Sequence, residues 1–196
     1  MKRFFDFTVS LLLIIILSPL FVLIGLIVLI DDGGPIVFKQ YRVKKDNKLF
    51  YIYKFRTMKN DTRNTATSDL TEAEFQITKS GRFLRKTSLD ELPQLFNVLI
   101  GDMSFVGPRP LIPEEKEIRN LRRDYGVFSV RPGITGWAQV NGRDMLTAEE
   151  KALFDKEYVE KQSILFDIKI MIKTVAVVLK RENISEGGEP HNKRRI

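Results

Sequence analysis

The stretch that most constrains this chain is VSLLLIIILSPLFVLIGLIVLI, Val9 to Ile30, 22 residues without a charge. As one helix at ~1.5 Å per residue it would reach about 33 Å, near the thickness of a bilayer's hydrocarbon core. It is too long for the apolar region of a secretory signal, and the DDGGP that follows lacks a small-x-small cleavage pattern. A single-pass anchor stays open. Two features argue for something else. Ser18-Pro19 lies near the middle of the run. Proline removes a backbone hydrogen bond and clashes with the preceding turn, so the helix bends there. The Ser18 hydroxyl can bond a freed carbonyl and make the bend tolerable in lipid. Basic residues also stand on both sides: Lys2 and Arg3 before the run, Lys39, Arg42, Lys44 and Lys45 after Asp31-Asp32. Positive charge marks the cytoplasmic side. A helix that enters, bends and leaves by the same face satisfies both flanks. The expectation is a re-entrant membrane helix within residues 1–35.

The remainder has the composition of a folded domain. The chain has 196 residues, 43% hydrophobic and 29% charged, with a formal net charge of +7. The positive excess points to an anionic partner: nucleic acid, anionic lipid or a phosphorylated substrate. No nucleic-acid recognition signature is present, so a nucleic-acid partner is not expected. With no cysteine, thiol catalysis, disulfides and cysteine metal sites are excluded. The single histidine, His191, sits in the tail EGGEPHNKRRI and is no candidate base. Chemistry, if any, rests on Asp, Glu, Lys, Arg, Tyr, Ser or a metal.

Residues 37–58 alternate as a β-hairpin with a polar turn around Lys44 to Lys48, and Lys54 and Arg56 share one strand face. Residues 59–80 read as a polar loop. GRFLRKTSLDELPQLFNVL reads as helix broken between Thr87 and Pro93. GDMSFVGPRP and RPGITGWAQVNGR are too rich in Gly and Pro for long regular elements, and IPEEKEIRNLRRDYG between them reads as a charged helix. Thr147-x-x-Glu150 is a capping box that opens TAEEKALFDKEYVEKQ. ILFDIKIMIKTVAVVLKR is amphipathic: Lys169, Lys173 and Lys180 form one stripe, and Asp167, Thr174 and Arg181 lie beside it. Ile164, Ile168, Met171, Ile172, Val175 and Leu179 fill the opposite arc. That arc can pack on a core or lie in a lipid interface with lysines toward head groups. The fold class is α/β, α-rich with a small β-hairpin. A compact domain is expected over residues 36–184 and a disordered basic tail over 185–196.

SLDELPQLFNVL places Asp90 and Glu91 side by side ahead of a proline. Ser88 and Glu91 fit a capping box. Pro93 would then be the fifth helical residue, whereas proline favours the first. Starting the helix at Pro93 makes Leu92 the cap and leaves the two acids on the loop outside it. Arg85 lies just upstream and can face Asp90 across the bend. Arg109 is held between Pro108 and Pro110. Guanidiniums around carboxylates suit phosphate binding, since arginine meets phosphate oxygens bidentately.

Together KFRTM, SLDELPQLFNVLIGDMSFVGPRP and RPGITGWAQVNGR resemble the bacterial sugar transferase family, monotopic phosphoglycosyl transferases that load a sugar phosphate onto polyprenol phosphate. The chain looks like the small form that holds only the catalytic core. The resemblance implies that Asp90 is the nucleophile on the sugar-linked phosphate of a UDP-sugar, with Mg²⁺ at Asp90 and Glu91 assisting. It implies that Lys54, Arg85 and Arg109 surround the phosphates. Arg131 and Arg143 would shape the nucleotide or acceptor site. Ser18 and Pro19 would break a re-entrant helix that penetrates one leaflet. The implied setting is the cytoplasmic face of the bacterial inner membrane. UDP-sugar, polyprenol phosphate, membrane lipid and downstream glycosyltransferases are the implied partners. In KFRTM, Arg56 stands where lysine would be expected to serve as well.

Overall fold

A computed structural model of the chain describes residues 1–59, 76–142 and 145–180. Most of the expected loop over 59–80, Arg143, and the tail over 185–196 lie outside the described residues.

The apolar run forms two helices, α1 (Lys2–Ile16) and α2 (Ser18–Asp32), bent by 63° at Leu17. Pro19 falls in the first turn of α2, where its missing N–H costs no hydrogen bond. The Ser18 hydroxyl donates to the Ile15 carbonyl at 2.8 Å. Among the described residues no single helix is long and apolar enough to cross a membrane; the bent pair passes that test together.

Both ends of the pair are tied to the same body of protein. At the start, Lys2 pairs with Asp167. Arg3 donates to the carbonyls of Val98 and Leu99, each at 2.6 Å. At the other end the Arg56 guanidinium donates to the carbonyls of Asp32 and Gly33 at 2.8 and 2.6 Å and to the Asp32 carboxylate at 3.2 Å. Ile24 and Val28 of α2 are buried against Phe55 and Leu84. The outer sides carry exposed Leu12, Ile16, Leu23 and Ile30.

The expected hairpin forms from β1 (Val37–Val43) and β2 (Leu49–Phe55), antiparallel, with Val37 opposite Phe55 and Val43 opposite Leu49. Its turn holds Asp46 and Asn47 at φ 59° and 56°, left-handed positions that these two residue types tolerate. On the free edge of β2, the buried Asn97 side chain accepts from the Tyr53 N–H at 3.0 Å. It also donates to the Tyr51 carbonyl at 2.7 Å. Helix α4 (Gln94–Ile100) is thereby stitched to the hairpin.

Before α4 come α3 (Lys79–Thr87) and a 3₁₀ turn, Leu89–Glu91. After it follow β3 (Ser104–Val106), α5 (Lys116–Asp124), β4 (Gly133–Thr135), α6 (Trp137–Val140), α7 (Ala148–Lys161) and α8 (Ile164–Lys180). The capping box at Thr147 is formed in both directions. The two Gly/Pro-rich motifs meet as the short parallel pair β3–β4, with Ser104 opposite Gly133 and Val106 opposite Thr135. Their backbones nearly touch. A Cβ on Gly133 would stand 2.1 Å from the Gly107 nitrogen and 2.4 Å from the Thr135 oxygen.

Helix α8 turns Asp167 and Thr174 toward the domain. Asp167 is buried, with an oxygen 2.8 Å from the Tyr158 hydroxyl, and the Thr174 hydroxyl meets that of Thr135 at 2.7 Å. Lys173 lies over the Trp137 ring at 4.6 Å. Ile164, Leu165, Ile168, Ile172 and Val175 are left exposed. Four members of the apolar arc, Ile164, Ile168, Ile172 and Val175, thus face outward, while Met171 packs against the core cluster that holds Ile170.

Gly133→Ala is expected to cost about 3 kcal/mol of stability, because the obstacle is backbone and cannot swing aside. Denaturant unfolding in detergent micelles measures this; a loss under about 1 kcal/mol would show that the two motifs can separate.

Candidate active site

The bend between α3 and α4 sets the two acids. Ser88 adopts a left-handed conformation, φ 56° and ψ 18°, at the end of α3. The reversal starts the 3₁₀ turn that carries Asp90 and Glu91. The Ser88 side chain makes no cap bond there, so the capping box read from Ser88 to Glu91 does not form. The proline reasoning holds with a shift of one residue: Pro93 precedes α4, whose first residue is Gln94, and the acids lie outside the helix. Such non-glycine strain is tolerated where the surroundings enforce it. Here it aims Asp90 inward, leaving it 9% exposed.

Burial pushes the Asp90 carboxyl up to about 6, against the pull of Lys54 and Arg85; the neighbouring Glu91 charge adds to the rise. Lys54, on β2, donates to a Glu91 oxygen at 2.7 Å. Arg85 is positioned from α3, where its Nε donates to the Thr57 hydroxyl at 2.9 Å. That distance depends on Gly81, whose Cβ position would stand 2.2 Å from the Thr57 oxygen. Three side chains read from the sequence as neighbours of Asp90 (Glu91, Lys54 and Arg85) therefore act on it here.

Arg109 sits exposed on the loop after β3, and its carbonyl accepts from Arg122 at 2.7 Å. Arg122 is itself locked in a buried pair with Asp155 at 2.6 Å. The Arg109 side chain lines a cleft together with Lys54, Glu91 and Gln94. Arg131 goes elsewhere. Its Nε donates to the Gly101 carbonyl at 2.8 Å, at the end of α4, and it lines neither cavity beside the acids. Arg143 lies outside the described residues.

Arg56 departs from the sequence reading. It is 6% exposed and closes the end of α2 through two carbonyls and a carboxylate. A lysine has one nitrogen and could not match that planar reach. Arg42 was taken from the sequence only as a flanking charge. The structure puts it on the wall of the same cleft, with Nη1 3.4 Å from the Pro110 carbonyl. Alternation along β1 could have set its face, but not the loop, 68 residues away, that meets it.

Among the described residues no three acidic or histidine side chains converge as a ready-made metal site. The donor set at the bend is two carboxylates. Mg²⁺ is commonly held by one or two carboxylates, with substrate phosphates and water completing its shell. The residues present therefore fit that ion in company with a diphosphate.

The raised Asp90 carboxyl has a consequence for stability. The folded state disfavours its charged form, so the penalty grows above the unfolded value near 4 and is full above about 6. With EDTA present, Asp90→Asn should stabilise the fold by about 1–3 kcal/mol at pH 7.5, with the gain fading toward pH 4. Denaturant unfolding across pH checks this, and a gain that does not change with pH would mean burial is not the cause.

A family model described as bacterial sugar transferase matches residues 1–181. The chain is 42% identical over 192 residues to "Uncharacterized sugar transferase EpsL" of Bacillus subtilis (strain 168), covering 95% of this chain and 91% of that protein. It is 42% identical over 182 residues to the UDP-glucose:undecaprenyl-phosphate glucose-1-phosphate transferase of Escherichia coli (strain K12), covering 89% and 39%. It is 42% identical over 197 residues to the undecaprenyl-phosphate galactose phosphotransferase of Salmonella typhimurium, covering 93% and 41%. The chain thus spans nearly all of the first relative and about two fifths of the other two. On the family match over residues 1–181, which takes in the bent apolar helices and the acid pair alike, this chain belongs to the bacterial sugar transferase family.

Proposed function

We propose that this protein transfers a sugar-1-phosphate from a UDP-sugar to polyprenol phosphate, undecaprenyl phosphate in bacteria, releasing UMP. Such a reaction is the first membrane step in assembling a glycoconjugate. The observation that carries the proposal is Asp90: a buried carboxylate, raised to about 6, under the pull of Lys54 and Arg85, next to a Glu91 that lines a cleft with Lys54 and Arg109. The names of the relatives, undecaprenyl-phosphate sugar phosphotransferases, supply the substrate class.

The chemistry runs in two halves. A carboxylate oxygen of Asp90 attacks the sugar-linked β-phosphorus, the bond to the bridging oxygen breaks, and UMP leaves with that oxygen. Asp90 then carries the phosphosugar as an acyl phosphate. An oxygen of polyprenol phosphate attacks the same phosphorus and returns Asp90 as a carboxylate. Covalent catalysis splits one hard displacement into two easier ones. Lys54, Arg85 and Arg109 offset the charge of the diphosphate as the acids approach it. Glu91, paired with Lys54, takes the proton of the acceptor phosphate in this scheme. Mg²⁺, held at Asp90 with the diphosphate oxygens, would supply further neutralisation of the leaving phosphate.

The proposed setting is the cytoplasmic face of the inner membrane, with one leaflet penetrated. The two-ended attachment of α1–α2 supports it. A helix that crossed the bilayer would part its ends by about 30 Å of lipid, whereas Lys2 and Asp32 both bond to the catalytic domain. The exposed apolar side of α8 extends the same lipid-facing surface.

Purified protein given undecaprenyl phosphate, Mg²⁺ and a panel of UDP-sugars should release UMP from at least one donor. Asp90→Asn should abolish release while the protein stays folded and membrane-bound; near wild-type turnover by that variant removes the nucleophile. For the topology, the natural chain has no cysteine. Single cysteines placed beside Lys2 and beside Lys44 should both resist an impermeant thiol reagent in intact cells. Labelling of one alone would mean a spanning helix.

A further inference from the structure

A cavity of about 580 Å³ adjoins the cleft that holds Lys54 and Glu91, and of its lining only Arg109 enters the steps above. Its walls come from β1 (Arg42), the loop after β3 (Arg109, Leu111), α5 (Ile118), α6 (Ala138, Gln139) and the start of α7 (Ala148). Arg42, Arg109 and Pro110 line both this cavity and the cleft that holds Lys54 and Glu91, so the two guanidiniums form the neck between them.

The neck is built for an anion. Arg42 donates to the Gln40 side chain at 2.7 Å, and its Nε is buried without a partner. Among the described residues it has no ion pair with a carboxylate. Burial first and the facing charge of Arg109 second lower its ionisation to about 10, against the opposing pull of Glu115, Glu91 and Glu114. Two guanidiniums held close, one with a spare donor, cost free energy that a bound phosphate recovers.

The chamber beyond the neck suits a nucleoside. Its size lies in the range of small-molecule sites. Leu111, Ile118, Ala138 and Ala148 give flat apolar walls for a base. Gln139 lines the same wall; its amide donates to the Ile134 carbonyl at 3.1 Å and its own carbonyl oxygen has no partner. Carboxylates of Glu114 and Glu117 at the rim can accept from ribose hydroxyls. A polyprenol chain, by contrast, would meet charges on every side of the mouth: Glu114, Glu117, Lys116 and Lys151.

We propose that this cavity holds the uridine of the donor, and that Arg42 and Arg109 grip the phosphate that departs as UMP. The proposal rests on the transferase reading and assigns the nucleoside end of its donor site. The sugar and its phosphate then lie on the cleft side of the neck, against Asp90.

The test uses the full-length protein in lipid nanodiscs. Ala148→Phe fills the chamber and Arg42→Ala empties the neck. Each should raise the donor KM and the inhibition constant of UMP about tenfold or more, equivalent to about 1.4 kcal/mol, with the KM for undecaprenyl phosphate held. Should Ala148→Phe fail to fold, Arg42→Ala and Arg42→Gln carry the test. UMP inhibition within twofold of wild type in the folded variants overturns the proposal. So does a rise confined to the undecaprenyl phosphate KM, which would make the neck an acceptor site. A separate arm needs no turnover: 4-thio-UMP irradiated with wild-type protein should cross-link to residues 109–118, to Ala138 or Gln139, or to Ala148 or Lys151, and UMP should compete. If no UDP-sugar yields UMP yet this cross-link forms, the transferase reading falls and the nucleotide site stands. If UMP is released and no cross-link forms there, the reverse holds.

Discussion

A buried carboxylate is unstable unless cations are held beside it, and the site is arranged around that need. Asp90 has two such neighbours, each fixed by a different part of the chain. Arg85 comes from α3, which can lie close enough only because Gly81 has no side chain where the Thr57 backbone passes. Lys54 comes from β2, which Asn97 pins to α4 by bonding the strand's free edge. Since α4 also ends the turn that bears Asp90, the acid and its cations share one framework. The charge remains incompletely offset, and that residual cost is consistent with a group kept reactive rather than neutralised.

The same economy governs the apolar helices. Their inward sides carry a few polar contacts at the two ends and buried apolar residues in α2, while the outward sides are mostly hydrocarbon. Helix α8 repeats this arrangement by hiding Asp167 and Thr174 and showing isoleucines. Polar groups that would be costly in lipid are thus spent on joining the apolar elements to the domain.

Much of this was legible in the sequence where local rules suffice. Alternation gave the hairpin, Thr147 and Glu150 gave the start of α7, and Ser18-Pro19 gave the bend. The acids' place outside α4 followed from the proline, although the Ser88 cap did not form because Ser88 takes a left-handed turn instead. Arg85 followed from its place across the bend and Lys54 from its strand face, and the family resemblance set both around the phosphates. What was not legible depends on distant partners. Arg42 became a site residue through Pro110, Arg56 became a helix clamp through Asp32, and Arg131 was drawn to Gly101. Each is an arginine in a recognisable motif or flank, and the motif alone does not tell which carbonyl or phosphate it will face. The orientation of α8 likewise turned on Tyr158 and Thr135, which no helical wheel contains.

The clamp at Arg56 has a geometric consequence. Lys54 and Arg56 are two residues apart on one extended segment, about 7 Å. One touches Glu91 and the other grips the end of α2. On the proposed topology this short rigid span works as a depth gauge. The bend at Leu17 sets how far the wedge sinks, and the segment converts that depth into a fixed height for Asp90 above the lipid. A lipid phosphate, whose own height is fixed by the bilayer, would then arrive level with Asp90 without having to be lifted.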